Sequence, residues 1–314
     1  MSEGKTVEII RPGTQIPFLR YRYRAFVASG LVGLAVLVLL MTKGPKLGVD
    51  FAGGTMVHLK LHENVTIGEI RRALARSGLG DIVVQDFGGG GSGEFLIRLE
   101  TTSAQLGGVG REIRRGLSEQ FGSEQFEIRR IESVGPKVGK DLRRRGTWSV
   151  IAATIMMGVY IWVRFGFSFG SRFGLGFGLG AVTALIHDVL VTVGALVLAN
   201  YEFDLPIVAA LLTIAGYSVN DTVVVCDRIR ENIRKYRRQG LEKIIDMSIN
   251  ETLGRTILTT ATALLVLIAL LVLGGGVIRP FAFALLIGFM SGVYSTIFIA
   301  TPVILVWEKG RRKA

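Results

Sequence analysis

Residues 205–232 read LPIVAALLTIAGYSVNDTVVVCDRIREN. Between Leu205 and Cys226 the only charged side chain is Asp221. At 1.5 Å per residue that interval is about 33 Å long as a helix, enough to cross a hydrocarbon core of ~30 Å. A carboxylate inside such a segment costs at least ~2.5 kcal/mol on insertion scales, so its presence marks a candidate functional group. The basic run that follows, beginning at Arg228, reads as a cytoplasmic exit.

Working outward, five more blocks share this composition, and the spans are expected at 25–42, 147–165, 173–199, 205–226, 256–274 and 281–306. The chain has 314 residues, of which 49% are hydrophobic, with a mean hydropathy of +0.46. These values describe a polytopic α-helical membrane protein lying in the lipid bilayer. The first block follows Arg20, Arg22 and Arg24 like a signal sequence, but no small-residue cleavage site follows it, and Lys43 and Pro45 end it as a helix stop. It reads as an anchor. The single cysteine, Cys226, excludes an intrachain disulfide and a cysteine-based metal site.

A net charge of +12 would suggest nucleic acid in a soluble chain, but its placement argues for topology and for no nucleic-acid partner. Basic residues crowd the N-terminal segment 1–24, the turn holding Arg164 and Arg172, the loop 227–255 and the tail 307–314, whereas NYEFDLP carries only acids. The expected orientation has both termini in the cytoplasm and residues 43–146 outside. Arg143, Arg144 and Arg145 dissent, but the rule weighs short loops, and long domains cross largely regardless of charge.

Within 43–146 the pattern changes. Thr55, Val57, Leu59 and Leu61 alternate with Met56, His58 and Lys60, as in a half-buried strand. Thr66 and Glu69 form a capping box ahead of a helix with Ile67, Ile70 and Leu74 on one face. The strands DIVVQDF and EFLIRLE are joined by GGGGSG, which lacks the Gly-Lys-Ser/Thr ending of a phosphate loop. A second helix carries Leu106, Val109, Ile113, Leu117 and Phe121 on one stripe, and QFEIRRIESV closes the unit. The order βαββαβ predicts an α+β ferredoxin-like domain with one sheet face left open for partners.

Three places put polar groups into the spans. His187 and Asp188 interrupt the third, with Thr183 one turn before and Thr192 one turn after. Tyr217 and Asp221 share a face of the fourth, beside Ser218 and Asn220. Arg255, Thr259 and Thr262 follow one another along the fifth. Each has a plainer reading: Asp221 in the headgroup zone, Arg255 snorkelling from a helix end, and His187 with Asp188 as a local pair that holds helices together. Taken together, carboxylates on two helices and a cation on a third are the parts of a protonation switch. No metal-ligand spacing, nucleophile elbow or nucleotide motif accompanies them, so bond-making catalysis, a metal or an organic cofactor is not expected. The run GLGFGLG, residues 174–180, pairs Gly174 with Gly178 and Gly176 with Gly180, a spacing for close helix approach.

Several of these stretches resemble one family. GVDFAGGTMV (residues 48–57), ALIHDVL (184–190), SVNDTVVVCDRIREN (218–232) and NETLGRTILTTATALL (250–265) are similar, in motif order and topology, to the SecD/SecF export proteins of the resistance-nodulation-division superfamily. The fourth- and fifth-span segments favour the SecF branch. The resemblance implies a subunit of the bacterial cytoplasmic membrane that pairs with SecD, associates with the SecYEG channel and promotes late export of preproteins. It implies protons as coupling ion, with Asp221 as intramembrane carrier and Arg255 as its charged partner. Asp188 and His187 fall on a family signature in the same relay, and Tyr217, Asn220, Thr259 and Thr262 form a supporting polar stripe. Gly48, Asp50, Phe51, Gly53 and Gly54 match the family motif at the start of the external domain. A half-transporter of the same superfamily, moving a small molecule or lipid, and a purely structural scaffold are the alternatives.

Overall fold

The computed structural model describes residues 15–61, 65–75, 82–86, 93–99, 106–169 and 171–311. Among the described residues, six helices are long and apolar enough to cross a membrane. They are α1 (Arg22–Thr42), α5 (Pro136–Phe169), α6 (Ser171–Leu198), α7 (Leu205–Lys235), α8 (Leu241–Leu273) and a sixth rod. That rod is α9 (Gly275–Ser295), a π-turn (Thr296–Ala300) and α10 (Thr301–Arg311) running on without a break.

The helices overrun the expected spans. Residues 227–255, read above as a loop, are the end of α7 and the start of α8, joined by a short turn. Hydropathy detects only the part of a helix that meets lipid. Here Ile229, Ile244, Ile245 and Ile249 are buried at helical spacing among charged residues, so both helices continue past the apolar stretch. The tail likewise stays helical to Arg311, and α5 begins at Pro136, straight out of the preceding strand. At this end of the bundle a 3₁₀ turn (Phe18–Tyr21) buries Phe18 and Leu19. Glu242 of α8 takes Arg22 at 2.6 Å and Lys309 of α10 at 2.7 Å, so the two ends of the described chain lie together.

Between α1 and α5 lies a four-stranded sheet. The strands are β2 (Gly54–Leu61), β3 (Ile82–Asp86), β4 (Glu94–Leu99) and β5 (Phe126–Val134), in antiparallel order β3-β4-β2-β5. With α3 (Ile67–Ala75) and α4 (Leu106–Phe121) this is the expected βαββαβ unit. Val57, Leu59, Leu61, Ile97 and Leu99 face Ile70, Leu74, Ile113 and Leu117 across its core. The GGGGSG run, except its last glycine, lies outside the described residues.

Sequence periodicity gave no sign of one small element. β1 (Lys46–Leu47) pairs in parallel with β6 (Glu202–Phe203), joining the α1 exit to the α7 start. The short helix α2 (Val49–Ala52) follows it. The glycines at 174–180 serve two faces. A Cβ on Gly178 would lie 2.9 Å from the Gly158 carbonyl of α5, and one on Gly180 would lie 2.7 Å from the Ala300 carbonyl of the π-turn. Alternate glycines therefore let α6 pack against two neighbours at backbone distance.

Candidate functional site

The two intramembrane aspartates have different surroundings. Asp188 of α6 is fully buried and accepts hydroxyl hydrogen bonds from Ser218 of α7 (2.7 Å), Ser291 of α9 (2.6 Å) and Ser295 of α9 (2.8 Å). His187 Nδ1 lies 3.4 Å from its Oδ1 and the same distance from Ser291 Oγ. The His187 ring leans on Tyr294 at 5.7 Å. Thr192 donates to the Asp188 backbone carbonyl at 2.8 Å, and Thr183 to that of Leu179. One carboxylate thus ties three helices. Ser291 and Ser295 escaped the sequence reading, although two serines one turn apart in an otherwise apolar helix were a usable signal.

Asp221 is the seventeenth residue of α7, about 24 Å along it. It is 5% exposed, and among the described residues its Oδ2 is buried with no hydrogen-bond partner. Arg255 of α8 acts on it electrostatically, but no ion pair joins the two among the described residues. The Arg255 side chain is exposed, and so are Thr259 and Thr262, whose hydroxyls bond back to their own helix. The inward hydroxyls of α8 are Thr252, Thr256 and Thr260 instead, one turn apart. Tyr217 reaches Thr260 at 3.2 Å and stacks on Phe289 with ring centroids 3.8 Å apart. Thr222 meets Thr296, the first residue of the π-turn, at 3.0 Å. Asn220 is exposed, in line with Thr213 and Gly216 on α7.

The expected polar stripe is therefore split. Tyr217 and Asp221 face inward, whereas Asn220, Arg255, Thr259 and Thr262 lie on the outer surface of the bundle. The register on α8 was not readable because threonines stand on both sides of that helix, leaving no single polar face to mark its orientation.

The family-motif residues form the root of the sheet domain. Gly48 and Phe51 are buried, Asp50 accepts the Leu205 N–H at 3.0 Å, Gly53 lies against Pro136, and Gly54 opens β2. Above them the open sheet face leans over the helix ends. Met56, His58, Leu96 and Arg130 confront Tyr201, Asp204 and Arg279 across a cleft of about 570 Å³. Burial pushes the Asp204 carboxyl up to about 6 against the pull of the Ile207 N–H bond, and the charges of Asp50 and Glu202 add to the push. No cluster of metal-ligating side chains occurs among the described residues.

Six spans, a compact α+β domain on the first inter-helix connection and buried carboxylates in the bundle define a polytopic membrane transport component. The pattern described as "Protein export membrane protein SecD/SecF, C-terminal" matches residues 115–310, and the SecD/SecF GG motif matches 38–65. The chain belongs to the SecD/SecF family. It is 43% identical to a protein translocase subunit SecF of Desulfurispirillum indicum over 301 residues, 93% of this chain and 92% of that one. It is 37% identical to SecF of Escherichia coli O157:H7 over 97% of this chain and 92% of that one. The crystal structure of SecDF, a translocon-associated membrane protein from Thermus, superposes with a TM-score of 0.80 at 33% identity and covers 95% of this chain. A SecDF structure in a super-membrane-facing form gives 0.67 at the same identity over 97% of the chain. The chain spans only 39% and 41% of those two proteins. A Sec translocation accessory role and an inner-membrane multi-pass location follow from these relatives and structures.

Proposed function

We propose that the chain is the SecF-type half of a proton-driven accessory to the Sec machinery, working with SecD and the SecYEG channel on late steps of preprotein export. Asp221 is the proton carrier, and Arg255 is the charge against which it works. The observation that carries this reading is the open Asp221 oxygen. A proton can settle on Oδ2 without disturbing any hydrogen bond, whereas one reaching Asp188 meets oxygens that already accept three hydroxyl bonds. The reading therefore moves Asp188 and His187 out of the relay and makes them a brace between α6, α7 and α9. The outer polar face of α7 and α8 is the surface that SecD covers.

Protonation and deprotonation of Asp221 change how strongly it is drawn to Arg255, which biases the packing of α7 and so moves the domain attached to it. One elementary charge crossing 100 mV supplies ~2.3 kcal/mol per event. The alternative, a half-transporter for a small molecule or lipid, would place its ligand in the cleft, where apolar Val49, Met56, Leu96 and Pro206 stand among charged Asp50, Arg130, Asp204 and Arg279.

The test uses inverted vesicles with ATP in excess and an imposed proton gradient. Asp221→Asn and Arg255→Ala should each leave ATP-driven export intact and remove the gradient's increment, and the double variant should be little worse than either. Retention of the full increment in Asp221→Asn, at wild-type complex levels, would sink the reading. Orientation is checked separately with an impermeant thiol reagent on intact spheroplasts. Arg115→Cys should label and Arg237→Cys should not, and the reverse pattern overturns the topology.

A further inference from the structure

We propose that residues 46–54 are the joint through which α7 drives the sheet domain, with Asp50 as the positioning residue that holds the joint closed. The inference rests on the proton-coupled reading above and adds the path from the helix carrying Asp221 to the domain.

The start of α7 is capped twice. Asp204, its own N-cap, accepts the Ile207 N–H at 3.0 Å, which suffices to begin a helix. Asp50, 155 positions away in sequence, accepts the Leu205 N–H at 3.0 Å as well. A second carboxylate from a distant segment adds little to starting the helix. What it adds is a tether between segments. Backbone ties run beside it: Lys46 and Leu47 pair with Glu202 and Phe203, and the Gly48 N–H reaches the Phe203 carbonyl at 2.7 Å. A Cβ on Gly48 would lie 3.1 Å from that carbonyl oxygen and 3.3 Å from Asp204 Cβ, so glycine permits the approach. From the sheet, Arg98 of β4 donates to the Leu47 carbonyl at 2.6 Å and pairs with Glu202 at 3.5 Å.

The other end of the segment is pinned to α5 and the sheet. Gly53 has φ +80°, and a Cβ there would lie 3.0 Å from Pro136 Cα. A Cβ on Gly139 would lie 3.1 Å from the Gly53 nitrogen. Val49 and Phe51 are 3% and 6% exposed. Gly54 then begins β2, the strand bonded to both β4 and β5. A displacement of α7 along its axis finds little slack in this segment and passes into the sheet.

The test uses the complete complex in inverted vesicles, with Cys226→Ala as background. Asp50→Ala should accumulate, support ATP-driven export and lose most of the proton-driven increment. Asp50→Asn, which keeps the acceptor oxygen, should retain it. Adding Leu47→Cys with Phe203→Cys to Asp50→Ala replaces the polar tether by a disulfide, so oxidation should restore the increment and reductant should remove it again. A residue needed only for folding would not give that redox-reversible rescue. The proposal is overturned if Asp50→Ala keeps the increment, if the disulfide fails to restore it, or if Asp50→Ala fails to accumulate with and without the disulfide. Asp221→Asn run alongside separates the two claims. If it loses the increment while Asp50→Ala keeps it, the joint alone falls; if it keeps the increment, the proton-coupled reading falls.

Discussion

Asp188 and Asp221 sit on adjacent helices of one bundle, both nearly closed to solvent. Around Asp188, hydroxyls from α7 and α9 converge on both oxygens. Around Asp221, one oxygen has no partner among the described residues, and the cation that acts on it stands on the outer face of α8. Burial alone therefore says little about what an intramembrane carboxylate does. The number of hydrogen bonds already made to the carboxylate separates a group that holds helices from one that can cycle.

The widest separation is expected from truncation. Asp188→Ala leaves three serine hydroxyls facing a void, and the cost of unsatisfied buried groups and lost charge-assisted bonds is about 3 kcal/mol or more. The unfolding free energy in detergent should fall by that amount. A fall below about 0.5 kcal/mol would remove the brace from the account. Asp221→Asn is the mirror case: stability should stay within about 0.5 kcal/mol of wild type, because a neutral amide relieves a burial cost without opening a cavity. A destabilisation as large as that of Asp188→Ala would show Asp221 to be structural.

How much of this was legible in the sequence follows from the same contrast. Asp188, His187, Asp221 and Arg255 stood out because charges are rare in apolar blocks. The alternation at Thr55–Leu61 foretold the buried face of the central strand, and the βαββαβ order foretold the sheet. What was missed depends on rotation or on contacts distant in sequence. Thr259 and Thr262 were chosen over Thr256 and Thr260 because α8 offers no single polar side to orient it. Ser291 and Ser295 are bland until Asp188 lies opposite. The two-residue pair β1–β6 is too short for any periodicity.

A smaller effect sharpens the brace. Ser295→Ala removes one of the three hydroxyls and should cost about 1 kcal/mol, read by the same denaturation. No measurable cost would mean that the other two donors carry the carboxylate. A pH-dependent effect belongs to a third aspartate, Asp204. Its folded value of about 6, above the ordinary 3.8, means that folding favours its protonated form. The associated stabilisation is full below pH ~4 and is lost as pH rises through about 6. The melting temperature of the purified protein should decline across that window. Asp204→Asn, which keeps the N-cap acceptor, should flatten the decline, and an unchanged slope would assign it to other groups.

The central claim is that Asp221, and not Asp188, changes protonation state when the machine runs. Infrared difference spectroscopy on the reconstituted complex, with and without an imposed proton gradient and with isotopically labelled aspartate, reads carboxyl protonation directly. The account predicts a gradient-dependent aspartic-acid band that disappears in Asp221→Asn and persists in Asp188→Asn. A band that persists in Asp221→Asn and disappears in Asp188→Asn would contradict it and return the carrier's role to Asp188.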